Sequence, residues 1–127
     1  MGNLSKNFNS SEFICKCGCG LNNLDPRVVN MCQTIRDGIG IPITINSACR
    51  CEKHNANVNG VPNSYHTQGL AADLSCSIGS EKLYNMIIGL FNLQLLPDLQ
   101  YCKRYVNKNF VHIDCGKVRK NRFVVGN

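Results

Sequence analysis

The chain has 127 residues, 43% of them hydrophobic and 17% charged, which suits one domain with its own core and excludes a disordered chain. No apolar run approaches the roughly 20 residues of a membrane helix, so membrane insertion is not expected. The net charge of +6 biases the surface toward anionic partners without choosing among them.

In chain order, "MGNLSKNFNSSEF" has no apolar stretch of signal-peptide type. Its Met-Gly start fails as a myristoylation signal because Lys6 stands where Ser or Thr is needed. Synthesis in the cytoplasm is therefore expected, and the nine cysteines are expected as free thiols or metal ligands rather than a disulfide framework. Residues 1–20 read as an irregular, cysteine-bearing segment. Asp25 then caps Pro26, and Val28, Cys32, Ile35 and Ile39 recur at helical spacing, which predicts a helix over 26–37 closed by Gly38. "IPITINSA" reads as a strand, "CRCEKHNANV" as either a helical turn or a loop, and "NVNGVPNS" as a loop.

"AADLSC" reads as a second strand, followed by a helix capped at or near Ser80 with Leu83, Ile87, Leu90 and Phe91 on its apolar face, and Pro97 ends that region. "LQYCKRYV" and "NFVHIDCG" are two further strands joined at Asn107-Lys108. The remainder, 116–127, carries Lys117, Arg119, Lys120 and Arg122 and reads as a solvated basic tail, with binding to an anionic cell-wall polymer as the second reading. The expected architecture is α+β: a single domain over 1–127 in which helices pack on one antiparallel sheet.

Strand alternation places Phe110, His112 and Asp114 on one face and Val111, Ile113 and Cys115 on the other. His66, Asp73 and His112 would then offer two imidazoles and one carboxylate to one ion. Three N and O ligands with a fourth position left for water is the arrangement of a catalytic zinc, which lowers the pKa of water to about 7. Gly69 would turn the chain between His66 and Asp73, and Ala71 and Ala72 would keep bulk away from the ion. The competing reading is a turn histidine, a capping aspartate and a surface histidine, and spacing alone does not choose between them.

"INSACRCEKHNANVNGVPNSYHTQGLAADL" followed by "FVHIDCGKVR" resembles the zinc D-Ala-D-Ala carboxypeptidase and L-alanyl-D-glutamate endopeptidase family of peptidoglycan peptidases, in the small form common in bacteriophages. The resemblance implies a hedgehog-like α+β fold and a zinc peptidase acting on bacterial stem peptides in cell-wall lysis. It also implies a zinc held by His66, Asp73 and His112, Arg50 on a substrate carboxylate or carbonyl, and Ser64 in the same site. An arginine fork suits a carboxylate. Tyr65 is a further candidate for substrate contact.

Many relatives carry an acid three residues before the last ligand, as general base; here that position is Asn109. Asp114 is the remaining carboxylate on the same strand face, read as base or as orienter of His112. Asn109 keeps open an alternative, a catalytically silent domain that binds cell wall or a protein partner. The expected partner is peptidoglycan, reached by holin-type release, lysis or virion delivery, with no nucleic-acid role and a monomeric chain.

Cys15, Cys17 and Cys19, with Cys49 and Cys51, are candidates for a second, structural zinc or for a disulfide, but Cys-x-Cys is tighter than the usual ligand gap. Free buried thiols are the favoured reading. Cys32, Cys76, Cys102 and Cys115 read as core, and His54 as structural. A Cys115–His112 nucleophile pair is disfavoured because alternation puts the two on opposite faces.

Overall fold

The computed structural model describes residues 2–127. The first long element is α1, Pro26–Ile39: the Asp25 carboxylate accepts the Arg27 N–H at 2.9 Å, and proline stands where no backbone donor is needed. The helix runs through Gly38 and stops at Gly40, whose φ of +72° closes it. Gly38 serves another purpose, because a Cβ there would lie 2.6 Å from Leu90 Cδ2. Its missing side chain lets α1 approach α3, Ser80–Asn92.

Five strands follow one another as β1 Thr44–Ser47, β2 Ala71–Ser75, β3 Tyr101–Tyr105, β4 Val111–Asp114 and β5 Phe123–Gly126. They form one sheet in the order β1-β2-β4-β3-β5. The first three pairings are antiparallel, as expected, whereas β5 lies parallel to β3, so the sheet is mixed. This strand corrects the reading of 116–127 as a solvated tail. Phe123 packs edge-on against Phe91 and Tyr84 of α3, a burial that a sheet edge offers and a free tail does not.

One sheet face meets α1 and α3. Val28, Cys32 and Ile35 from α1 and Leu83, Ile87 and Leu90 from α3 close over Ile45, Leu74, Cys102, Val111 and Ile113. Cys102 and Cys115 are buried as expected, but Cys76 is only half-buried at the rim of this core. Ala72 also joins the core rather than the polar face, since alternation sends it the opposite way from Ala71 and Asp73. Phe8 and Phe13, edge to face at 5.8 Å between centroids, anchor the N-terminal segment in the same core.

The other sheet face is covered only in part, by the short helix α2, Glu52–Asn57, and by a 3-10 turn, Tyr65–Gln68. The ambiguous "CRCEKHNANV" is thus a helical turn, capped by Cys51. Ser80 opens α3 but Gly79 is its cap, and the Ser80 hydroxyl instead donates to the Lys108 carbonyl. No helix among the described residues is long and apolar enough to cross a membrane.

Gly69 closes the 3-10 turn at φ +71°, and an added Cβ would collide with the Asn23 carbonyl. The same turn is clamped from outside by the Asp25 N–H to the Gly69 carbonyl and by Asn23 Nδ2 to the Thr67 carbonyl. A left-handed alanine costs about 1–2 kcal/mol before any clash. Gly69→Ala is therefore expected to lower stability by at least about 2 kcal/mol in a denaturant titration and to weaken metal binding through His66.

Candidate metal centre

Strand register supplies two of the candidate ligands. Asp73 on β2 and His112 on β4 are directly paired across the sheet, and Ala71 is paired with Asp114 one step along the same face. A gap of 39 residues in sequence becomes a 3.0 Å contact between His112 Nδ1 and Asp73 Oδ1. His66 arrives from the 3-10 turn. Ser64 caps that turn by accepting the His66 N–H at 3.2 Å, and the His66 carbonyl accepts from the Arg50 N–H.

The hydrogen bonds determine which nitrogen of each imidazole is free. His66 Nδ1 lies 2.8 Å from the Ala48 carbonyl, which can only accept, so the ring proton sits there. His66 Nε2 therefore turns its lone pair toward Asp73 Oδ1, 3.3 Å away. Two acceptors face each other across that gap, an arrangement that calls for a cation. His112 is held in the reverse sense, with Nε2 2.7 Å from Asp114 Oδ2 and Nδ1 toward Asp73. Nε2–H donates to Asp114, which leaves the Nδ1 lone pair for an ion.

His66 Nε2, Asp73 Oδ1 and His112 Nδ1 thus converge, and the three side chains offer ligand atoms within 4.8 Å of one another. Tetrahedral zinc with bonds near 2.0 Å sets its ligand atoms about 3.3 Å apart. The contacts of 3.0 and 3.3 Å match that spacing, so donor type, lone-pair direction and separation all fit zinc.

Asp114 is fully buried and saturated: besides His112 it accepts from Arg119 Nη1 and Nη2 at 3.0 and 3.2 Å, and from the Gly116 N–H at 3.2 Å. That geometry suits the orienting role and leaves no exposed lone pair for a base. Arg119, read in sequence as part of a solvated run, stacks on Tyr101 at 4.1 Å and on Tyr65 at 5.0 Å. Nothing in the basic run marks it, but alternation along β3 does place Tyr101 opposite Asp114.

Arg50 lies beside the ligands with Nη2 3.4 Å from Asp73 Oδ2, Nη1 3.1 Å from Asn55 Oδ1 and Nε 3.0 Å from Ser47 Oγ. A bulge between Ile45 and Ser47 shifts the β1 register so that Ser47 pairs with Asp73, which brings its hydroxyl to Arg50. Two guanidinium N–H groups remain beyond those three contacts. Ser47 and Asn55 were not legible as site residues, because the bulge and the α2 fold that bring them in are tertiary features.

These groups line an open cleft of about 710 Å³ with Ser64, Tyr65 and Tyr101. The Tyr65 hydroxyl accepts from the Lys117 N–H at 3.1 Å, and its ring lies so close to Gly116 that a side chain there would collide. Lys103 and Lys108 complete a cationic wall, while the side-chain carboxylates in the cleft are Asp73 and Asp114 alone. Asn109 is exposed between Lys108 and Phe110, which both line the cleft. His54 lies in α2, outside the metal-type clusters.

A model of the family described as peptidase M15 matches residues 6–114. The chain belongs to the peptidase M15 family. No curated protein matches it in sequence. Family membership supports a hydrolase of metallopeptidase type that works with zinc, and the matched span holds all three candidate ligands and Arg50.

In the metal-free M15 chain, burial opposes charge on His112, but hydrogen bonds to Asp114 and Asp73 outweigh it and raise its pKa from 6.5 to about 9. Burial likewise opposes charge on Asp73 and Asp114. Hydrogen bonds from His112 to both and from Arg119 to Asp114 nevertheless hold them below the usual carboxylate range. A raised histidine stabilises the fold fully below its unfolded pKa and loses that contribution as pH rises through the folded value. The two carboxylates act in the opposite direction, stabilising above their ordinary 3.8 and failing as pH falls. Chelated protein should therefore lose on the order of 2–3 kcal/mol as pH rises from 6.5 through about 9. Zinc should remove that alkaline loss, because it takes the neutral imidazole. Thermal melts with and without chelator across this range check both.

Proposed function

We propose that this M15 chain is a zinc-dependent peptidase that hydrolyses stem peptides of bacterial peptidoglycan, in the manner of a D-Ala-D-Ala carboxypeptidase or an L-alanyl-D-glutamate endopeptidase, and that it serves phage-type cell-wall lysis. The observation that carries this reading is the convergence of His66 Nε2, Asp73 Oδ1 and His112 Nδ1 in an open cationic cleft. When bound, zinc would supply Lewis acidity to a carbonyl and activate water at neutral pH.

The chain's own residues do the rest. Asp114 and the Ala48 carbonyl hold the two imidazoles in the tautomers that leave one lone pair each for the ion. Arg50, fixed on three sides, presents its remaining N–H groups to a carboxylate or carbonyl oxygen of the stem peptide. Lys103, Lys108 and Arg119 add positive potential along a cleft that receives an acidic peptide. Tyr65 forms the wall on the Arg119 side.

A second reading, a domain that binds the wall without cutting it, is favoured by one observation: both carboxylates of the cleft are already engaged, and Asn109 brings no third. Incubating the zinc-loaded chain with purified muropeptides and weighing the products separates the readings. Loss of a terminal D-alanine identifies a carboxypeptidase, and release of L-alanine-linked glycan from the rest of the stem an endopeptidase. Intact muropeptides that remain bound to the protein would sink the peptidase.

A further inference from the structure

Outside the cleft, a second cluster gathers Cys15, Cys17, Cys19 and Cys51, whose sulfur atoms all lie within 4.8 Å of one another. Cys49, grouped with them in sequence, stays buried apart from the cluster. All five are free thiols and Cys15 and Cys49 are buried as expected, but Cys17 and Cys19 are exposed and Cys51 is half-buried. We propose that Cys15, Cys17, Cys19 and Cys51 form a structural site for one zinc-class ion, fastening the N-terminal segment to the loop that carries Arg50.

Tetrahedral zinc thiolate with bonds near 2.3 Å places its sulfurs about 3.8 Å apart. The Cys15–Cys17 and Cys17–Cys51 separations are 3.4 and 3.6 Å, close enough that small rotations reach that figure. The tight Cys-x-Cys spacing proves no obstacle, because Gly18 at φ +88° and Gly20 at φ +83° fold the chain back on itself. Neither glycine is crowded at its Cβ position, so backbone conformation is what requires them.

Backbone donors already point at the sulfurs. The Cys51 N–H reaches Cys15 Sγ at 3.4 Å and the His54 N–H reaches Cys51 Sγ at 3.3 Å, which is how thiolate charge is spread in metal sites. A four-sulfur tetrahedron selects zinc or iron over harder ions. Residues 14–25 form no helix or strand, and such a loop gains order from an ion. Cys51 also caps α2, and α2 supplies Asn55 to Arg50, so the centre braces a wall of the cleft.

The test uses the full chain, purified anaerobically with reductant and loaded with cobalt(II) as the probe. About two ions per chain are expected, with the near-ultraviolet sulfur-to-cobalt charge-transfer band of a tetrahedral thiolate site. Cys17→Ser and Cys19→Ser should each remove the band and one ion, while His66→Ala should keep the band and lose the other ion. Cys76→Ser, a thiol outside the cluster, should change neither. A wild-type chain loaded with cobalt but lacking the band overturns the proposal, as does peptide mapping that finds a disulfide among the four. Since the band does not depend on turnover, an inactive chain that shows it would reject the peptidase and keep this site.

Discussion

His66→Ala, Asp73→Ala and His112→Ala should each abolish metal binding in the cleft and lower kcat/KM on muropeptides by at least about 10³-fold, or roughly 4 kcal/mol in the barrier. Three protein ligands are the minimum of a catalytic zinc site; no other histidine lines the cleft, and its remaining side-chain carboxylate, Asp114, is already saturated by His112, Arg119 and Gly116. The three variants should nevertheless differ in stability. Asp73 is the hub: it takes contacts from His66, His112 and Arg50 while almost fully buried. Its removal leaves His112 and Arg50 without their shared anion, a loss on the order of 3–5 kcal/mol for a broken buried ion pair. His66→Ala removes a ring whose metal-free environment is already short of a cation, and should cost the chelated protein less. Metal analysis, steady-state kinetics and denaturant titration of the chelated variants check the order. Equal destabilisation by His66→Ala and Asp73→Ala would contradict the hub.

Asp114→Ala carries the second large effect. It strips His112 Nε2–H and the Arg119 fork of their shared acceptor in a fully buried position. A stability loss of about 3–5 kcal/mol is expected, with metal affinity falling about 10–100-fold as His112 loses its orientation. Asp114→Asn keeps the shape but sets an amide N–H against a donor on one side or the other, so it should fall between wild type and alanine. The kinetics distinguish positioning from proton transfer. A positioning Asp114 lowers kcat/KM through metal occupancy, so saturating zinc restores much of the activity and the pH profile keeps its limbs. Persistence of the defect at saturating zinc together with a lost acidic limb would make Asp114 the base instead.

Arg119 illustrates why part of the site was hidden. In sequence it is one of four cations in a short polar run, the pattern of a solvated surface. In the fold, β5 pairs with β3 and the preceding segment brings Arg119 into the cleft, where it meets Asp114 and two tyrosines. Parallel pairing at a sheet edge joins strands far apart in sequence, and no local periodicity encodes it. The cysteines behave alike: two left-handed glycines bend the Cys-x-Cys segment, and Cys15, Cys17 and Cys19 gather with Cys51 from a distant loop.

What sequence determined by itself was local and periodic. Asp25-Pro26 started α1, alternation in "FVHID" separated a core face from a polar face, and the resemblance carried by "SACR", "SYHTQGLAAD" and "FVHID" named the three ligand candidates. What tertiary structure decided was which nitrogen each imidazole offers, which carboxylate is saturated, and which cysteines meet. Those depend on sheet register, on a bulge at Ser47 and on carbonyls such as Ala48, contacts made between elements distant in the chain. A side chain's chemistry is written in its residue type. Its proton and its partner are set by whatever the fold brings within 3 Å or so.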